Sequence, residues 1–233
     1  MPLPATSASP DLVGPIVEGG ADPATDPAWA ESGASSRAEY ARWAGHLCGV
    51  TCLRRALGPG APSLFELRDG AIEYGAYTQD AEGVIRGLIY APFAQYAREV
   101  HGLDATVHRH LSSREILGLL DGGRTVLASV HHGIRRPDLP PPRKGGHLVL
   151  LTARTADGTG VHFHSPSGIT AGTRAAELPL PGLPCPRPAG RAAPPTGPLP
   201  AAPYRPPGQV VGKTPSAGRA GSSHTRRLSR AAV

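Results

Sequence analysis

At 233 residues the chain has room for one large domain or two small ones, and 30 Gly with 27 Pro bring its composition close to low complexity. Residues 1–177 hold eighteen acidic side chains against sixteen Lys and Arg, a net −2, whereas 178–233 hold eight basic residues and no acid. The overall +6 therefore belongs to the C-terminal stretch, which excludes net charge as an argument for a nucleic-acid-binding body.

No apolar run reaches the roughly 18 residues of a membrane span. The first twenty residues lack the basic and apolar regions of a secretory signal. The expected location is cytoplasmic, with no membrane partner. Three cysteines, Cys48, Cys52 and Cys185, are too few for a disulfide framework and admit a nucleophilic role instead.

Residues 1–34 are rich in Ala, Pro, Ser, Gly and Asp and show no apolar period, so a flexible N-terminal arm is expected. From Ser36 the pattern changes, and SRAEYARW offers an N-cap serine and an acid in the first turn of a short helix. CGVTCLRRAL predicts an amphipathic helix stopped by Gly58-Pro59-Gly60. Ser63 opens another, with Glu66 at the capping-box position. Residues 90–101 and 113–120 add two more, the last stopped by Asp121-Gly122-Gly123, and residues 105–111 read as an additional strand.

After Gly123 the period shortens, and TVLASVHH, HLVLLTAR and VHFHS read as strands. The Pro-rich IRRPDLPPPRKGG between the first two reads as a long surface loop. TADGTG reads as a hairpin turn that makes the second and third strands antiparallel neighbours. The expected organisation is an α+β domain over 35–178, followed by a disordered Pro/Arg-rich tail over 179–233 that cannot bury enough surface to offset chain entropy. The abrupt change near 178 suggests out-of-frame translation of a GC-rich gene, which translation of the other two reading frames checks.

A cysteine nucleophile acts as its thiolate, which a helix N-terminus and a neighbouring histidine both favour. Cys48 stands where WAGHL turns into a helix, so the positive end of the dipole should lower its pKa, and Gly49 beside it should leave room for substrate. Cys52, one turn deeper, reads as a small buried hydrophobe. His147 opens an apolar strand directly after Gly145-Gly146 and is the candidate general base. Ser165, before Pro166 on the neighbouring strand, is the candidate third group that orients it. His46 reads as a loop residue near the cleft.

The order of Cys on a first helix, His on a strand and a polar residue before Pro on the next strand resembles the papain-like cysteine peptidase fold. More narrowly, CGVTCL, GGHLVLLTA and VHFHSPSG resemble peptidase family C-thirty-nine, the bacteriocin-leader peptidase domains, over residues 36–178. The resemblance implies an N-terminal helical layer, a C-terminal antiparallel sheet and cleavage of a peptide or protein substrate, such as a leader peptide, through a Cys48 thioester with His147 as base. Two positions depart from the family pattern. Ser165 stands where the family has Asp or Asn, and Arg42 stands where it has a Gln for the oxyanion hole. These departures carry the alternative, a module that binds a peptide without cutting it. The Cys48 amide is then one oxyanion donor, with Arg42, Trp43 or His46 as the second.

A third reading is a metal site drawn from His131, His132, His147, His162 and His164, against which stands the scarcity of nearby carboxylates. The strand histidines are therefore expected to be half-exposed, and neither cofactor nor metal is expected. GPGAPS lacks the Lys and preceding strand of a phosphate loop.

Overall fold

The computed structural model describes residues 9–135, 146–179 and 231–232, all within one compact unit. In chain order it contains α1 (Val13–Val17), α2 (Arg37–Trp43), α3 (Cys48–Leu57), α4 (Leu64–Glu73), α5 (Tyr90–Glu99), α6 (Ser113–Asp121), β1 (Thr125–His131), β2 (Gly146–Arg154), β3 (Gly160–His164), α7 (Ala171–Arg174), β4 (Ala175–Pro179) and β5 (Ala231–Ala232). This is an α+β architecture. Five helices, α2 to α6, precede a sheet in the order β4-β3-β2-β1-β5, antiparallel except for the two-residue β5, which runs parallel to β1. No helix among the described residues is long and apolar enough to cross a membrane.

Local chemistry sets the helix starts. Ser36 accepts from the Glu39 amide at the head of α2. Ser63 with Glu66, and Ser112 with Glu115, close reciprocal capping boxes at α4 and α6, each satisfying amides that the first helical turn leaves unpaired. α3 differs, because its N-cap residue is Leu47, which supplies no side-chain acceptor. No side chain therefore caps its opening amides beside Cys48.

β2 is buried from His147 to Leu151 because both faces of the sheet are covered. Leu148 and Leu150, with Leu127 of β1, join the core built by α3, α4 and α5 around Phe65, Phe93 and Tyr96. Val149 and Leu151 join Val126, Val130, Val161 and Phe163 in a second core closed by Ile116 and Leu120 of α6. The continuous apolar run of HLVLLTAR is the signature of this two-sided burial. Each fully buried Leu or Val contributes roughly 1.5–3 kcal/mol.

Three expectations need correction. Residues 9–34 pack against the body through α1 and three short 3-10 turns. Val13 is fully buried, and Asp26, also fully buried, accepts from the Tyr40 hydroxyl at 2.7 Å, the Ser9 amide at 3.1 Å, the Ala28 amide at 3.0 Å and the Ser9 hydroxyl. The arm lacks a periodic apolar face, yet a single buried carboxylate can gather enough donors to fix it. Residues 105–111 form no strand; they are an irregular connection that buries Ala105, whose carbonyl accepts from Arg98 at 2.7 Å. His131 and His164 are buried, not half-exposed, because the sheet is covered on both faces. Cys185 and the tail from residue 180 onward lie outside the described residues apart from β5.

Candidate active site

Cys48 and His147 line the same cleft, of about 270 Å³, together with Val13, Ile16 and Val17 of α1, Ala44 and Gly45, and Arg135 and Ser167. Each arrives there for a local reason. Cys48 is the first residue of α3. His147 follows Gly146, whose φ of +101° lies in the left-handed half of backbone space that glycine tolerates. Antiparallel pairing of β2 with β3, in register from Leu150 opposite His164, then brings Ser165 across to the imidazole.

His147 Nε2 lies 3.0 Å from Ser165 Oγ and 3.2 Å from Ser167 Oγ. Both hydroxyls address the same ring nitrogen. Nδ1 is the nitrogen that neither serine addresses. Ser165 is fully buried, and its amide donates to Arg174 O at 2.8 Å, so the loop after β3 is pinned where the hydroxyls are needed.

Sequence reasoning missed Ser167 and Arg135. Arg135 ends the 3-10 turn that follows β1, and its Nε and Nη2 both donate to Ser167 Oγ, at 2.9 and 2.6 Å. The expected surface loop thus begins as a half-buried turn that buries Ile134, while 136–145 lie outside the described residues. Neither residue carries a local pattern that marks it. The sequence offered only a Ser two places beyond a candidate and an Arg three places after a pair of histidines.

Cys52 is buried and its thiol points at Leu148 O, 3.7 Å away, as expected of a core cysteine. Gly49 differs from expectation. It faces the core, not the cleft, and a Cβ there would stand 2.6 Å from Leu88 Cδ2, so its smallness accommodates packing instead of substrate. None of the three candidate second oxyanion donors lines the cleft. Arg42 is exposed and turned to Gln79 Oε1 and Gly83 O, 2.7 Å from each. Trp43 is buried against Tyr77, and His46 offers its carbonyl to the Tyr77 hydroxyl.

The electrostatics also depart from the sequence expectation. Burial pushes the Cys48 thiol above its ordinary value and outweighs the amides of Leu148, Gly49 and Cys48 and the charge of Arg135, all of which favour thiolate. The helix start supplies stabilising groups, but desolvation of the sulfur wins. His147 is pushed down to about 3, first by burial and then by the charges of Arg135, His132 and His164. The resting pair is therefore neutral thiol and neutral imidazole. Among the described residues no three His, Cys, Asp or Glu side chains gather as metal ligands. His162 instead faces Glu177 across β3 and β4 at 3.6 Å.

The neutral His147 has a consequence for stability. The unfolded chain protonates this imidazole near 6.5, whereas the folded protein resists doing so until about 3. Its contribution is complete above pH 6.5 and is lost as pH falls toward 3, by up to about 1.4 kcal/mol per pH unit. Urea unfolding of wild type and His147→Gln at pH 7 and pH 5 should show the wild type losing more stability by this margin. Parallel losses would contradict it.

No family model, curated protein or solved structure matches this chain.

Proposed function

We propose that the cleft carries out acyl transfer through a Cys48 thioester, in the manner of a papain-like cysteine peptidase acting on a peptide. The reading is supported above all by one observation: Cys48 and His147 line one small cleft, and Ser165 Oγ lies 3.0 Å from Nε2 of the imidazole. Helices before the sheet, and the order Cys, His, polar residue along the chain, accord with the same reading.

In this mechanism His147 carries its single proton on Nε2, donated to Ser165, and Nδ1 takes the proton of the Cys48 thiol as sulfur attacks the carbonyl carbon. The tetrahedral oxyanion faces the uncapped amides at the start of α3. Collapse expels the amine, which receives the proton from His147, and leaves the thioester. Water, deprotonated by the same nitrogen, then releases the acid. A hydroxyl can orient imidazole but gives imidazolium no negative partner, so the rate should fall short of a triad with a carboxylate.

The test is acylation of the folded protein by p-nitrophenyl acetate. An acetyl adduct on the peptide containing Cys48, absent in Cys48→Ser and turned over on standing, supports the reading. Folded protein that never acquires the adduct would overturn it. That result would favour the second reading, a module that holds a peptide without cutting it, which the raised thiol and the serine in third place support.

A further inference from the structure

Arg135 is half-buried beside the thiol, and no carboxylate of a described residue pairs with it. The Nε and Nη2 edge of a guanidinium is a fork that matches the two oxygens of a carboxylate. Here that fork closes on a single neutral oxygen, Ser167 Oγ. Val13, Ile16 and Val17 of the lining carry no charge, so among the described residues the cleft combines apolar side chains, the Cys48 thiol and one cation whose hydrogen bonds go to a hydroxyl.

We propose that Arg135 is the docking point for a carboxylate on the substrate, so that the site selects acyl donors that are anionic near the reacting carbonyl. The inference rests on the acyl-transfer reading for its meaning, but the selectivity itself does not require that reaction.

Ser167 also lies 3.2 Å from His147 Nε2, so a carboxylate taking the Arg135 fork would sit one hydroxyl away from the imidazole. Arg135 is therefore a docking and positioning residue, one step removed from the sulfur.

Iodoacetate and iodoacetamide test this directly, since they differ in little but a carboxylate. In both, the Cys48 sulfur displaces iodide, forming an S–C bond as the C–I bond breaks, and the thiol proton leaves to solvent. Rates at Cys48 would be read by mass spectrometry on folded protein and compared with the same chain unfolded in urea. The ratio of iodoacetate to iodoacetamide rates should rise by at least about tenfold on folding, the scale of a hydrogen bond to a charged group. It should collapse in Arg135→Gln and be largely retained in Arg135→Lys, with melting curves confirming that both fold. A wild-type ratio equal to that of the unfolded chain would overturn the proposal, as would a raised ratio that survives in Arg135→Gln. Repeating the wild-type comparison in His147→Ala separates the two ideas. A raised ratio there upholds the docking role even where the acetyl-adduct test has failed, and a normal ratio in both proteins removes it while leaving that test standing.

Discussion

His147→Ala should slow acylation of Cys48 by p-nitrophenyl acetate about 10²- to 10⁴-fold near pH 7, and the two proteins should differ in the shape of their pH profiles. With the thiol held above its ordinary range and the imidazole neutral down to about 3, wild-type attack depends on a base that is already available across pH 5–8. Its rate should be nearly flat there. The variant has only spontaneous thiolate to work with, so its rate should climb about tenfold per pH unit toward the thiol pKa, and the gap between the proteins should close as pH rises. Profiles that run parallel, or a gap under about tenfold at pH 7, would mean that His147 takes no proton from Cys48. Among the described residues the charges that shift His147 are those of Arg135, His132 and His164, and all three push the imidazole toward neutrality.

Asp26→Ala should cost on the order of 3 kcal/mol of stability. The carboxylate gathers the Tyr40 hydroxyl and two amides in a site with no access to water, and each donor left buried without an acceptor costs about 1–3 kcal/mol. Tyr40→Phe is the milder companion, since Asp26 keeps its amide donors, and a loss of about 1 kcal/mol is expected. Urea unfolding followed by the fluorescence of Trp29 and Trp43 measures both. A loss below about 0.5 kcal/mol for Asp26→Ala, the range of an ordinary surface substitution, would show that the N-terminal segment is not fastened this way.

The helices and the β2–β3 hairpin were legible in the sequence because each is specified locally. Serine caps with glutamate three residues on, a Gly-Pro-Gly stop and an Asp-Gly turn between two strand-like runs act within a few residues of where they stand. Cys48 and His147 were legible for a related reason, since each stands at the start of an element whose own pattern is local: an amphipathic helix for Cys48 and an apolar strand for His147. Arg135 and Ser167 were not. They come from a turn after β1 and a loop after β3, and only the assembled sheet brings them together. The N-terminal segment was misread because composition reports apolar periodicity and says little about a buried carboxylate with several donors. Asp22-Pro23 and Asp26-Pro27 were the available signal, since Asp22 does cap the turn that follows it. The pKa of Cys48 escaped because a helix start is visible in sequence while the desolvation that opposes it depends on residues from α1, β2 and the turn after β1.

The protonated resting state of Cys48 bears on how the protein ages. Peroxides oxidise thiolates far faster than thiols, and sulfenic acid is the first rung from which irreversible sulfinic and sulfonic forms follow. On the proposed acyl-transfer reading, a sulfur that burial keeps protonated and that becomes anionic only during attack on a substrate would spend little time exposed to that chemistry. The burial that would make Cys48 a reluctant nucleophile would therefore also slow its oxidation.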